Sequence, residues 1–224
     1  MSNGISIVKG ILWVLVWFGF MIFYTVLDIL IWRKIAPEQS RFLNLITVAI
    51  CMAIFLNLLV TKTNFKLRLF SNISFLGIVL ALGCSVLFYF LLDKGLDPIF
   101  EDLFPSSKEN YQQIIRLIQI SPIVSFFDFC ILAPILEEVL MRGFLLDGLS
   151  INYGKIVALL ISAALFSILH FNIAQIVPSF ICGIILGLLY FYTDSIFSCI
   201  LAHIGYNSIS YMMIMLPIYI NHLK

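Results

Sequence analysis

Charge is scarce in this chain. Asp, Glu, Lys and Arg make up 11% of its 224 residues, whereas soluble domains carry about 25%. Hydrophobic residues make up 62% and the mean hydropathy is +1.10, a balance that excludes a soluble globular protein and describes a polytopic membrane protein. A net charge of +1 excludes nucleic acid as a partner. Cysteine is sparse as well. Cys51, Cys84, Cys130, Cys182 and Cys199 all fall in apolar runs with no C-x-x-C spacing, so neither a disulfide framework nor a thiolate metal site is indicated. There is no H-E-x-x-H zinc signature. No linker, repeat or low-complexity tract divides the sequence, and residues 1–224 read as one membrane-embedded domain.

What is abundant is long apolar runs. Ile11 to Ile31, Phe42 to Val60, Ile73 to Leu92, Ile123 to Leu146, Ile156 to Phe171, Ile176 to Tyr192 and Ile196 to Ile218 approach or exceed the ~20 residues of a spanning helix. The fold class is all-α, a bundle of about seven transmembrane helices. The two short runs, Ile156 to Phe171 and Ile176 to Tyr192, leave a tilted or re-entrant geometry open. The first run lacks a small-residue cleavage pattern and is followed by six more, so it reads as a helix and not as a secretory signal. Residues 11–92 supply three accessory helices. Residues 93–121 read as an extramembrane loop in which Gln112 to Ile120 forms an interfacial helix, and 123–218 hold the functional core. Alternate assignment of loops places five basic residues on one side and seven on the other, which fixes no orientation.

Against this background Glu137, Glu138 and Arg142 stand out. A centrally placed Asp, Lys or Arg costs roughly 2.5 to 3.5 kcal/mol on insertion scales, so charge kept in such a run is a functional-site hypothesis. Glu138 and Arg142 are four residues apart and pair on one face of a helix, while Glu137 sits about 100° round from Glu138 and faces elsewhere. Two histidines share that spacing with a partner. Phe166 can pack on the ring of His170, and His203 and Asn207 can point donors at one substrate atom. At about 1.5 Å per residue, Glu137 lies roughly 18 Å deep, His170 roughly 25, His203 roughly 13 and Asn207 roughly 19, within side-chain reach of a common layer. Asp28 and Asp128, near span ends, read as solvated at the interface, as does His222. Gly143, Gly183 and Gly187 read as helix-packing positions.

In this order, Ala133-Pro-Ile-Leu-Glu-Glu-Val-Leu-Met-Arg-Gly-Phe144, Phe166-Ser-Ile-Leu-His170 and His203-Ile-Gly-Tyr-Asn207 resemble the E-E-x-x-x-R, F-x-x-x-H and H-x-x-x-N motifs of the CPBP family. These are the CAAX proteases and bacteriocin-processing enzymes, also called the Abi family. The resemblance covers about Ile123 to Met215. It implies a glutamate-dependent intramembrane endopeptidase without metal or other cofactor. By the same resemblance Glu137 and His170 activate a water while His203 and Asn207 stabilise the oxyanion. Glu138 joins them as a candidate catalytic residue, and Arg142 and Phe166 support the site.

The implied partners are a membrane-associated peptide or protein substrate and the lipid bilayer, with the oligomeric state left open. A short chain rich in Ile, Phe and Asn points to a bacterial cell membrane, and so to processing of bacteriocins or signalling peptides, or to self-immunity. The alternatives are a CAAX-type prenyl-protein endopeptidase, a zinc-dependent membrane peptidase, and a non-catalytic immunity or transport protein.

Overall fold

The computed structural model describes residues 4–222, apart from the side chains of residues 108, 110, 218, 221 and 222. His222 therefore lies outside the described side chains. Within the described residues the chain is helical and has no strand. This suits a chain in hydrocarbon, where each backbone N–H and C=O must find its partner within its own segment.

Eight helices follow the sequence in order. They are α1 (Ile7–Ile35), α2 (Ser40–Thr63), α3 (Phe75–Leu103), α4 (Ser107–Ile120), α5 (122–153), α6 (155–168), α7 (Ile176–Thr193) and α8 (Ile196–His222). Seven coincide with the apolar runs, and α4 with the interfacial segment. Residues 93–121 are helical almost throughout, because 93–103 continue α3 and only 104–106 link it to α4. Inside α4, Ile118 is buried against Cys130 and Tyr211, so this amphipathic helix packs on α5 and α8.

Helices α1, α2, α3, α7 and α8 are each long and apolar enough to cross a membrane. Of the seven that coincide with apolar runs, α5 and α6 depart for identifiable reasons. Helix α5 carries Asp128, Glu137, Glu138 and Arg142, and α6 has 14 residues, about 21 Å of rise against a hydrocarbon core of about 30 Å. Outward faces are apolar, with Leu12, Phe23, Phe75, Leu82, Ile123 and Ile156 all exposed, as lipid contact requires.

Boundaries follow local chemistry. Ser6 and Ser74 cap α1 and α3 by accepting from Lys9 N at 3.2 Å and Gly77 N at 3.0 Å. Asn64 and Asp194 end α2 and α7 in the left-handed conformation, with φ 56° and 46°. Between α5 and α6, Gly154 adopts φ 79° and ψ 163°, a region open essentially to glycine alone. Contact between helices depends on small residues. A Cβ on Gly183 would lie 3.0 Å from Ala163, one on Gly143 2.8 Å from Ile196, and one on Gly187 would collide with Leu159. These three glycines are packing positions, as expected.

Four stretches are π-helical: Asp28–Trp32, Tyr89–Leu96, Phe127–Leu132 and Val139–Leu146. Such i→i+5 turns are rare and occur often at functional sites. The first corrects the reading of Asp28, which is 4% exposed and not solvated. Its Oδ2 accepts from Arg33 Nε at 2.7 Å, a partner five residues on that the wider turn brings into reach. Asp128 is half-buried and lines a small pocket beside Glu137, so it too is no simply solvated end residue.

Gly154→Ala should destabilise the protein by about 1 to 3 kcal/mol, because alanine cannot take that backbone conformation without strain. Gly83→Ala, in mid-helix with nothing within 4 Å of its Cβ, should be neutral or stabilising by up to about 1 kcal/mol. Thermal unfolding in detergent measures both, and equal melting temperatures would refute the assignment of the break.

Candidate active site

Helix α5 places two neighbouring carboxylates in different surroundings. The segment Ala133–Glu138 is α-helical between two π-helical stretches, and Glu137 and Glu138 end it. The Glu138 side chain is 0% exposed and that of Glu137 30%, so Glu138 points into the bundle and Glu137 into a cavity.

Glu138 is the hub of the buried charges. Its Oε1 accepts from Arg142 Nη1 at 2.8 Å and from His203 Nδ1 at 2.9 Å. Oε2 has no hydrogen-bond partner among the described residues. Arg142, 1% exposed, also donates from Nη2 to the Gly183 carbonyl at 3.3 Å, and its guanidinium lies 4.7 Å from the centre of the Phe166 ring. One ion pair thus touches α5, α6, α7 and α8. The Glu138–Arg142 pairing expected from the spacing is present, and His203 is a third member that helical spacing could not show.

His203 stands between the two carboxylates. While Nδ1 meets Glu138, Nε2 lies 3.8 Å from Glu137 Oε2, too far for a hydrogen bond but near enough for strong electrostatic coupling. His170 is positioned differently. Helix α6 ends at Ile168, and His170 lies in the following turn, just before Phe171 at φ 49°. Its Nδ1 is 2.9 Å from the Phe166 carbonyl, one of the last carbonyls that a helix end leaves unsatisfied. A carbonyl only accepts, so Nδ1 carries the proton and Nε2 of the neutral ring is a free base. Phe166 packs edge-on to both histidines, at 4.9 Å from His170 and 5.8 Å from His203. Asn207 donates from Nδ2 to the Phe129 carbonyl at 2.9 Å, which fixes the orientation of its amide.

Glu137, His170, His203 and Asn207 line one chamber of about 290 Å³, together with Phe166 and Cys182. Glu138 and Arg142 are not in its wall. A larger groove of about 610 Å³ adjoins it and shares Asp97, Phe129, Gln175, Tyr206 and Asn207. On the other side of Glu137, a pocket of about 90 Å³ is lined by Trp17, Tyr24, Met52 and Asp128. Among the described residues, no three His, Cys, Asp or Glu side chains are grouped as ligands for one ion. Asp97, Gln175, Ser179 and Tyr206 also line the chamber, and sequence reasoning missed them. Tyr206 had a signal, since it immediately precedes Asn207. Asp97 had none, lying before the first motif and far from it in the sequence.

Residues 119–209 match the family described as Rce1-like, the type II CAAX prenyl endopeptidases. The stretch contains all three motifs and, with them, the chamber-lining residues Glu137, His170, His203 and Asn207. No curated protein and no solved structure matches the chain. The family is one of membrane proteases, and with five apolar helices the chain is an integral membrane protein.

Arg142→Ala would leave Glu138 buried without its cation, a change that costs about 3 to 5 kcal/mol. The expected outcome is a lower yield of folded protein and a lower melting temperature in detergent. A variant as stable as the parent but inactive would instead place Arg142 among the residues that act on substrate.

Proposed function

We propose that this Rce1-like chain is an intramembrane endopeptidase that hydrolyses a peptide bond with a water activated by Glu137. One observation carries the reading: a carboxylate, two imidazoles and a carboxamide, brought from three segments of a membrane bundle, line a single chamber of about 290 Å³.

The proposed chemistry follows from which atoms are free. Glu137 faces the chamber and is the base that takes a proton from water. The free Nε2 of His170 accepts a hydrogen bond from the same water and orients it. The water oxygen bonds to the substrate carbonyl carbon, and the carbonyl π pair moves onto its oxygen. Asn207 has a second amide N–H beyond the one given to Phe129, and a doubly protonated His203 presents Nε2–H while Nδ1–H stays on Glu138. These donors stabilise the oxyanion, more strongly in a site screened from water than in solution. Glu137 then returns its proton to the leaving nitrogen as the C–N bond breaks. In this scheme Glu138 is a positioning residue, acting through His203.

The substrate class proposed is a membrane-associated peptide, with the prenylated CAAX tail named by the family as the first candidate. Processing of a bacteriocin or signalling peptide at a bacterial membrane is the version favoured by composition.

Glu137→Gln keeps the volume and removes the base, so it should abolish cleavage of a farnesylated, internally quenched CAAX peptide by purified enzyme without loss of folded protein. His170→Ala and His203→Ala should each cost at least about 100-fold in kcat/KM. Retained turnover in Glu137→Gln sinks the assignment of the base.

A separate measurement tests the mode of water activation. A catalytic zinc site holds its ion with three protein ligands and lowers the pKa of the bound water to about 7. The carboxylate mechanism predicts activity that survives prolonged EDTA and 1,10-phenanthroline. Loss on chelation with recovery on added Zn²⁺ would turn the same residues into ligands of an ion.

A further inference from the structure

Asp93 lies on α3, outside the 119–209 stretch and within the π-helical segment Tyr89–Leu96. It faces α8, where both of its carboxylate oxygens are engaged. Oδ1 accepts from Tyr206 Oη at 2.7 Å and Oδ2 from Ser210 Oγ at 2.5 Å. Residues 206 and 210 are one helical turn apart and bracket Asn207. Tyr206 and Asn207 line both the 290 Å³ chamber and the 610 Å³ groove, so they form part of the wall between the two. From the other side, the Phe129 carbonyl holds Asn207.

We propose that Asp93 is a positioning residue that holds the Tyr206–Asn207 wall, and so sets how a chain entering from the groove reaches Glu137. The groove's role as the substrate route rests on the peptidase reading; the restraint on the wall does not. Without the carboxylate, the two hydroxyls lose their acceptor. Ser210 can turn to the carbonyl one turn back on its own helix, as serines do. Tyr206 has a rigid ring and no such alternative, so it is Tyr206 that leaves its place, and Asn207 beside it follows.

The experiment measures the wall directly. Cys182 lines the chamber and is 3% exposed, so its rate of modification by a water-soluble maleimide, read by mass spectrometry on the full chain in detergent, reports access to the chamber. Asp93→Leu and Tyr206→Phe should each raise that rate about tenfold, the scale of losing a hydrogen bond. Asp93→Asn should stay near the parent rate, because its Oδ1 still accepts from Tyr206 while its Nδ2 donates to Ser210 Oγ. Ser85→Ala removes a different α3–α8 bond, Ser85 Oγ to the Ala202 carbonyl at 2.9 Å, and should leave the rate unchanged.

Unchanged labelling in Asp93→Leu and Tyr206→Phe, or an equal rise in Ser85→Ala, overturns the proposal. Should Asp93→Leu fail to fold, Tyr206→Phe, which removes a single hydroxyl, decides alone. With the farnesylated peptide, both wall-opening variants should lose kcat about tenfold at the parent melting temperature. A parent protein inert toward that peptide would count against the peptidase reading and leave the labelling result standing.

Discussion

The buried Glu138–Arg142 ion pair is the constraint on which the rest of the core depends. Both side chains are withdrawn from solvent in a bundle whose outer face is apolar, and two charges there are tolerable only if they meet at hydrogen-bond distance and gain further polar partners. Those partners come from elsewhere: the imidazole of His203 on α8, the carbonyl of Gly183 on α7, and the ring face of Phe166 on α6. The rotation of each of these helices is therefore tied to one ion pair. Gly183 illustrates how tightly. Its carbonyl reaches Arg142 where α7 approaches α6 so closely that a Cβ would press on Ala163.

The adjacency of the two glutamates divides their work. A rotation of about 100° between neighbours separates a carboxylate buried against protein groups from one that opens onto the chamber. His203 reads both, with one nitrogen on each side. A charge change at Glu137 is thereby felt by a ring that Glu138 already holds in place. The arrangement pairs a buried carboxylate with an open one, and it is the open one that the proposed general-base role uses.

Much of this was legible in the sequence, and the limits have a physical origin. The i, i+4 spacing revealed the Glu138–Arg142 pair and the contact of Phe166 with His170, because both partners lie close in the sequence. The depth estimate brought Glu137, His170, His203 and Asn207 toward one layer, and all four do line one chamber. Contacts between helices were invisible. His203 meets Glu138 across 65 residues and Tyr206 meets Asp93 across 113, distances over which periodicity carries no register. Asp28 was misread because reasoning with a 3.6-residue turn looks three or four positions on, whereas its partner Arg33 stands five positions on in a π-helical stretch. The same wider turns run through 127–132 and 139–146, on either side of the glutamates, where a regular helix would have been assumed.

The half of the chain without a motif also shapes the site. Ile5, just before α1, is stitched to α5 by its N–H to the Gly148 carbonyl at 3.0 Å and by Asn152 Nδ2 to the Ile5 carbonyl at 2.9 Å. From there α1 and α2 run behind α5 and bring Trp17, Tyr24 and Met52 to the pocket at the back of Glu137. On the opposite side, α3 supplies Asp97 to the chamber and Asp93 to the wall beside it. Glu137 thus stands between a chamber built mainly from α5 to α8 and a back wall shared with α1 and α2. The motif segments hold Glu137, His170, His203 and Asn207, but the cavities that give those side chains room and neighbours are also lined by residues that no motif names.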